Sequence, residues 1–276
     1  MTRQVQDTLR DEITRFLKHH GLRLNTDLGQ HFLVDERALS FIVEAANITE
    51  EDRIVEIGPG IGILTRELAK RAKKVSTVEL DDRLIPLLKD FLSGEDKSLL
   101  TKVTVTRGNA LHVPLPDEPY KVVANIPYHI TSPLLRHVFL ESKVIPTSMT
   151  LLIQKEVAEN ICNIRNAGIL TILVGLFGTP RYVLTVDSDA FLPPPKVDSA
   201  VLHIDCFERP LAEPNVIEKI FSLTKIGFGQ KRKMLRNTLG KLPDGMALLQ
   251  KADIDPERRP QTLSVQEWIT VARIFQ

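Results

Sequence analysis

Cysteine is nearly absent from this chain. Its 276 residues contain two, Cys162 and Cys206, far apart and without CxxC or Cys/His spacing, so neither a disulfide framework nor a zinc site organises the fold, and no metal is expected. Long apolar runs are missing as well. None approaches the roughly 18 residues that a membrane helix needs, and the first twenty residues carry charge throughout instead of an apolar signal core. A cytoplasmic protein with no membrane partner is the expectation. Internal repeats and low-complexity segments are lacking too, which excludes solenoids and disordered arrays. What is there is an ordinary globular composition, 43% hydrophobic with a net charge of +1, enough for one large domain or for a larger and a smaller one.

The near-neutral total hides an uneven distribution. From residue 205 onward there are 12 basic and 9 acidic side chains, and residues 219–241 hold seven basic ones and no acid. Lys231-Arg232-Lys233 followed by Arg236 is the densest part. Such a run is either a solvated helix face or the footprint of phosphate contact, and composition leaves both readings open.

Val5, Leu9, Ile13, Phe16 and Leu17 fall on one helical face with charges between them, which predicts an amphipathic helix ended by Gly21. Leu28-Gly29-Gln30-His31-Phe32-Leu33 then reads as a turn leading into a second helix through Ile42, Val43 and Ala46. The strongest local signal follows: Ile54-Val55-Glu56-Ile57 is an apolar strand that breaks into Gly58-Pro59-Gly60-Ile61-Gly62 and continues as a helix. Glycines are needed where the backbone turns tightly and a ligand approaches it closely. A second strand, residues 75–80, ends in Glu79, about 20 residues on, the distance at which an acid reaches the ribose hydroxyls of a bound nucleoside. The G-x-G-x-G spacing, with Glu56 ahead of it, differs from the dinucleotide pattern G-x-G-x-x-G, whose helix N-terminus faces a pyrophosphate. A nucleoside with a cationic centre and no phosphate fits better beside a carboxylate, and S-adenosylmethionine is such a ligand. A third strand, residues 102–106, delivers Gly108-Asn109-Ala110-Leu111, where Asn109 either meets the adenine edge or is simply a turn residue.

Lys121-Val122-Val123-Ala124 reads as a short buried strand, so Asn125-Ile126-Pro127-Tyr128 arrives at a strand's carboxyl end, where open α/β sheets bind ligands. Taken alone, the tetrapeptide is a strand followed by a turn. Thr131-Ser132-Pro133 starts a helix that continues through Leu134, Leu135, Val138 and Phe139. Residues 151–153 add a strand, and Gln154-Lys155-Glu156-Val157 leads into a helical stretch. Residues 181–186 and 200–204 read as the last two strands, an antiparallel edge pair. Between them, Phe191-Leu192-Pro193-Pro194-Pro195 is held extended by its prolines, either as a rigid connector or to fix Phe191 as the wall of a pocket. Beyond Arg209-Pro210 the strand pattern stops. Val216, Ile217, Ile220, Phe221 and Leu223, then Met234, Leu235 and Leu239, and finally Trp268, Ile269 and Ala272 have helical spacing, which predicts a small domain of three or four helices.

These motifs, in this order and over about residues 22–265, resemble the ribosomal RNA small-subunit adenine dimethyltransferases of KsgA type. The resemblance rests on the six residues from Leu28, the glycine loop at 56–65, Glu79, residues 108–111, 125–128, 154–158 and 191–201, and the basic Lys231-Arg232-Lys233. It implies an α/β fold: a class I, Rossmann-like, S-adenosylmethionine-dependent methyltransferase domain over residues 1–208, with residues 1–20 as a helical extension, and an all-helical RNA- or ribosome-binding domain over 209–276. The implied activity is methyl transfer from S-adenosylmethionine to N6 of two adjacent adenosines near the 3′ end of small-subunit rRNA, by a monomer acting on a small-subunit precursor.

Carried over residue by residue, the cofactor would be met by Gln30, His31 and Leu33, by Glu56 with Gly58, Gly60 and Gly62, by Glu79 and Leu80, by Asn109 and Ala110, and by Asn125. Asn125, Ile126, Pro127, Tyr128 and Phe191 would form the catalytic site, and Lys231, Arg232, Lys233 and Arg236 would meet RNA. Two departures stand out. Asn109 replaces the usual Asp and forfeits a charge-assisted hydrogen bond, and Asn25, Thr26 and Asp27 stand where a lysine is usual. The resemblance also implies the chemistry. The Asn125 side-chain oxygen and the Ile126 carbonyl would accept both N–H bonds of the target amine, drawing it toward tetrahedral geometry, while Tyr128 stacks on the flipped base and Phe191 packs against it. Three other readings stay open: an erythromycin-resistance type methyltransferase acting on a large-subunit adenine, a non-catalytic transcription factor like the mitochondrial relatives, and an NAD-binding oxidoreductase.

Overall fold

Runs of β-branched and aliphatic residues set the frame. The computed structural model describes residues 8–22, 24–25, 29–230 and 232–275. Among them, a sheet of seven strands is built from β2 (Arg53–Ile57), β3 (Lys74–Glu79), β4 (Val103–Arg107), β5 (Lys121–Asn125), β6 (Ser148–Gln154), β7 (Gly178–Val186) and β9 (Ser199–Cys206). A separate two-stranded ribbon pairs β1 (Phe32–Leu33) with β8 (Phe191–Leu192). The sheet order is β4-β3-β2-β5-β6-β9-β7, with β4 to β6 joined by parallel pairing. The order reverses between β2 and β5, which lie side by side with Val55 opposite Val122. β7 and β9 are neighbours at the edge, as expected, and they reach further than the alternation suggested.

Helices α1 (Leu9–His19), α2 (Glu36–Ala46), α3 (Ile63–Arg71), α4 (Leu84–Glu95), α5 (Leu99–Lys102) and α6 (Thr131–Arg136) are followed by α7 (Lys155–Cys162), α8 (Ile169–Phe177), α9 (Pro214–Phe228), α10 (Gly245–Lys251) and α11 (Val265–Ile274). The helix begun at Thr131 does not run uniformly through Phe139. It widens to a π-helical turn over His137–Glu141. The chain divides into two compact units, one of residues up to Lys155 with Tyr182–His203, the other of Glu156–Arg181 with the residues from Ile204 onward. The second unit is helical: α9 and α11 enclose Trp268, fully buried beside Phe228 at 6.0 Å between rings. Met234, Leu235 and Leu239, which have helical spacing, belong instead to two 3₁₀ turns, Leu235–Asn237 and Leu239–Lys241. Thr238 (φ −122°, ψ −89°) breaks the helical path between them, and Pro243 holds Leu242 extended beyond.

The first helix forms as its pattern predicts. Thr8 caps it, accepting from the Asp11 amide at 3.3 Å while Asp11 accepts from the Thr8 amide, and its face of Leu9, Ile13 and Leu17 is buried. Phe16 meets Phe91 of α4 edge-on at 5.2 Å. Arg66 of α3, only 10% exposed, donates to Glu12 at 2.7 Å and lies 4.9 Å over the Phe91 ring. Glu95 and Glu67 stand at 3.6 and 3.7 Å, too far to replace Glu12 fully. Glu12→Ala, which leaves a nearly buried guanidinium without its close partner, is therefore expected to cost roughly 1–2 kcal/mol. Arg66→Met keeps an apolar stem over Phe91 and removes the charge that needs a partner, so it should cost less than about 1 kcal/mol. Urea denaturation of the two variants checks that order.

Candidate active site

The reversal of strand order between β2 and β5 opens a crevice at the strands' carboxyl ends. A cavity of about 380 Å³ occupies it. β2 contributes Glu56 and the loop after it Gly58 and Gly60, and the end of β3 contributes Glu79, Leu80 and Asp81. Asn109 and Ala110 come from the loop after β4, and Asn125, Ile126, Pro127 and Tyr128 from the end of β5. Gln30, His31 and Leu33 line the same space from the segment around β1, and Phe191 does so from β8. The predicted cofactor and catalytic residues are thus brought together, with one exception. Gly62 (φ +97°) lies behind the cavity as the N-cap of α3, where a Cβ would come within 3.2 Å of Leu88.

Gly60 shows why this loop is glycine-rich. Its φ is +60°, and a Cβ there would stand 2.6 Å from the Phe32 ring, so a side chain would be both strained and overlapped. Its amide donates to Glu79 Oε2 at 3.1 Å, while Glu79 Oε1 accepts from the Asp81 amide at 2.8 Å. Glu79 therefore ties the glycine loop to its own turn. Asp81, absent from the predicted set, accepts from Gln30 Nε2 at 2.8 Å and from Arg83 at 2.6 Å. Arg83, with Gln30 beside it, holds the Asp81 carboxyl at about 2. The sequence signal that could have found it is the pair Asp81-Asp82 directly after Glu79-Leu80. Asn109 closes its own turn, its Oδ1 accepting from the Leu111 amide at 3.0 Å.

Around the acceptor tetrapeptide, several polar groups are anchored. Asn125 Nδ2 donates to the His31 carbonyl at 3.2 Å, the Ile126 amide donates to Leu152 at 3.1 Å, and the Pro127 carbonyl accepts from the Ile130 amide at 3.0 Å. The Tyr128 hydroxyl pairs with Ser199 Oγ at 2.7 Å, and burial lifts its pKa above the ordinary tyrosine value. Phe191 is 1% exposed; its backbone pairs with Leu33.

The expected RNA-facing residues lie elsewhere in the chain. Lys231 lies outside the described residues. Arg232 and Lys233 are exposed, while Arg236 is paired with exposed Glu257 at 2.5 Å, an ion pair of little energetic weight. No helix among the described residues is long and apolar enough to cross a membrane, and none of their His, Cys, Asp and Glu side chains group as a metal site.

A family model described as "Ribosomal RNA adenine dimethylase" matches residues 21–276. The chain belongs to this family. The activity that goes with it is S-adenosylmethionine-dependent dimethylation of adenine in ribosomal RNA. The Ribosomal RNA small subunit methyltransferase A of Dehalococcoides mccartyi strain CBDB1 is 40% identical over 267 residues, 95% of this chain and 91% of its own length. Among solved structures, the dimethyladenosine transferase from Plasmodium falciparum aligns with TM-score 0.75 at 29% identity, covering 87% of this chain and 96% of its own. The 23S rRNA methyltransferase ErmE aligns with TM-score 0.70 at 30% identity, covering 88% and 98%. Helix α1 precedes the matched residues.

The cavity suits the family's cofactor. An apolar wall, with Leu80 60% exposed and Ala110 buried, suits a planar base, and Glu79 at the end of β3 suits the ribose hydroxyls. Glu56 is 1% exposed and accepts from Thr65 Oγ1 at 2.7 Å. Burial pushes its carboxyl up to about 8, the Thr65 bond pulls it back, and the Glu79 charge adds to the rise. Burial likewise raises Glu79 above its ordinary value, against the pull of its backbone amides.

The folded protein thus keeps a proton on Glu56 that the unfolded chain releases near the ordinary 4.5. Its contribution to stability is fully present below that pH and is lost as pH rises through about 8. Thermal unfolding of the cofactor-free protein should show that decline, and Glu56→Gln should flatten it.

Proposed function

We propose that this protein transfers methyl groups from S-adenosylmethionine to N6 of two adjacent adenosines near the 3′ end of small-subunit rRNA, acting as a cytoplasmic monomer on a small-subunit precursor. The observation that carries the acceptor chemistry is the hydrogen bond from Asn125 Nδ2 to the His31 carbonyl. With its NH₂ anchored there, the amide would present Oδ1 to the substrate amine. When bound, the cofactor supplies an electrophilic methyl on a sulfonium. Gln30, His31, Leu33, Glu56, Gly58, Gly60, Glu79, Leu80, Asn109, Ala110 and Asn125 would hold it, with Glu79 at the ribose hydroxyls.

The adenine amino nitrogen is a poor nucleophile because its lone pair is delocalised into the ring. Asn125 Oδ1 and the Ile126 carbonyl would each accept one of its hydrogens, turning the lone pair out of the ring plane. Pro127 stiffens the chain between acceptor and stacking ring, and Tyr128 offers a face to the flipped base. None of these groups needs to act as a base before transfer, because the methylated ammonium is strongly acidic and sheds its proton readily. Residues 209–276, with Arg232 and Lys233 exposed, would meet the RNA backbone.

The large-subunit reading is supported by the likeness to ErmE, and the small-subunit reading by the higher identity to relatives named for that subunit. Incubation of both unmodified subunits with labelled S-adenosylmethionine, followed by nucleotide mapping, separates them. Label in adjacent small-subunit adenosines is expected, and label confined to the large subunit would sink the small-subunit reading. Asn125→Ala is expected to lower transfer at least a hundredfold, the order typical of losing a preorganised polar group at a reacting centre, with cofactor affinity by calorimetry within a few-fold of wild type. Neutral replacement of Lys231, Arg232 and Lys233 should flatten the plot of log affinity for RNA against log salt. An unchanged slope would return the cluster to a solvated surface.

A further inference from the structure

Residues 29–31 touch the two halves of the site in alternation. A Cβ on Gly29 would stand 3.0 Å from Pro127 Cβ, so the bare Cα there lies against the acceptor tetrapeptide. Two residues on, the His31 carbonyl accepts from Asn125 Nδ2 at 3.2 Å. The residue between them turns the other way. Gln30 Nε2 donates at 2.8 Å to Asp81 Oδ2, in the turn after β3 whose Asp81 amide holds Glu79. We propose that Asp81 is a positioning residue for the acceptor: through Gln30 it fixes segment 29–31, and through the His31 carbonyl it fixes the Asn125 amide. This rests on the adenine-methylating function proposed above.

Each joint of that path is defined. Gln30 Oε1 accepts from the Asn25 amide at 2.7 Å, so both ends of its side-chain amide are committed. A carboxylate only accepts, so Asp81 takes the NH₂ end and excludes the flipped amide. Asp81 is held in turn, its side chain 8% exposed. Arg83 Nε donates to its Oδ1 at 2.9 Å and an Arg83 terminal nitrogen to its Oδ2 at 2.6 Å. Beyond the His31 carbonyl, Phe32 pairs with Leu192, and the His31 ring meets Pro193 O at 2.7 Å. The carbonyl that orients Asn125 therefore sits between two anchors, the ribbon on one side and Gln30 on the other. Without the Gln30 anchor, Gly29 (φ +73°) is a swivel that lets the segment draw away from Pro127. One carboxylate thus sets the turn that carries Glu79 and, three residues removed through space, the group that meets the amine.

The test uses the full chain with unmodified small subunits. Asp81→Ala and Gln30→Met remove the same bond from opposite ends. Each should lower kcat at saturating S-adenosylmethionine roughly tenfold, within the range that a misplaced group costs, and the double variant should fall no lower than either alone. Asp81→Asn keeps an acceptor for Gln30 and should hold kcat within about threefold of wild type. In the Asn125→Ala background neither substitution should lower the residual rate by more than about twofold, because the group that they place is gone. In the cofactor-free protein, NMR should show the Asn125 side-chain hydrogens exchanging with solvent several-fold faster in both single variants. Wild-type kcat or unchanged exchange in both would overturn the proposal. So would a loss seen only as weaker S-adenosylmethionine binding by calorimetry, or one that persists in full beside Asn125→Ala, since Asp81 would then serve the cofactor or the fold instead. Gln30→Met leaves the turn at Glu79 intact and carries the test if Asp81→Ala does not fold. The proposed function fails on the labelling pattern of the wild type, whereas the exchange measurement needs neither substrate nor cofactor, so the two failures are distinguishable.

Discussion

Everything at the site depends on the reversal of strand order between β2 and β5. Two adjacent parallel strands end together, and the chain then leaves them in opposite directions, β2 toward α3 and β3, and β5 toward α6 and β6. No crossover can cover both ends at once, so a crevice is topologically unavoidable there. The glycine loop and the acceptor tetrapeptide occupy its two sides: a Cβ on Gly58 would be 3.6 Å from Pro127. Donor and acceptor halves of the reaction are juxtaposed by the sheet itself, and the side chains only refine that placement.

The electrostatics follow from the same crevice. Glu56 and Glu79 are buried by the strands that deliver them. Glu79 is held as a structural tie by two amides, whereas Glu56 has a single hydroxyl partner. Burial raises both carboxyls above their ordinary range, so the crevice holds hydrogen-bonding groups with little net charge. The basic residues of the chain are elsewhere, notably over residues 219–241.

Much of this was legible in the sequence because it depends on local pattern. Strand periodicity, the three glycines, Glu79 and the tetrapeptide each declare themselves within a dozen residues. What was not legible depends on long-range pairing. The ribbon of Phe32–Leu33 with Phe191–Leu192 consists of strands of two residues each, too short for any periodicity to register. The commitment of Asn125 to His31 is a contact across 94 residues. Asp81 is followed by a second acid, Asp82, and only the fold brings Gln30 to Asp81. The turns around Leu235 and Leu239 show the opposite failure, since apolar spacing alone carries no information about a break at Thr238.

The β1–β8 ribbon also fixes when the site can exist. Phe32 pairs with Leu192 and Leu33 with Phe191, His31 and Pro193 beside them stand 162 residues apart, and the cavity's lining is incomplete until both ends are present. During synthesis, a chain that has emerged only as far as β6 carries its glycine loop, its acids and its tetrapeptide without the segment that encloses them. The lining of the cavity is therefore completed only when most of the protein has been made.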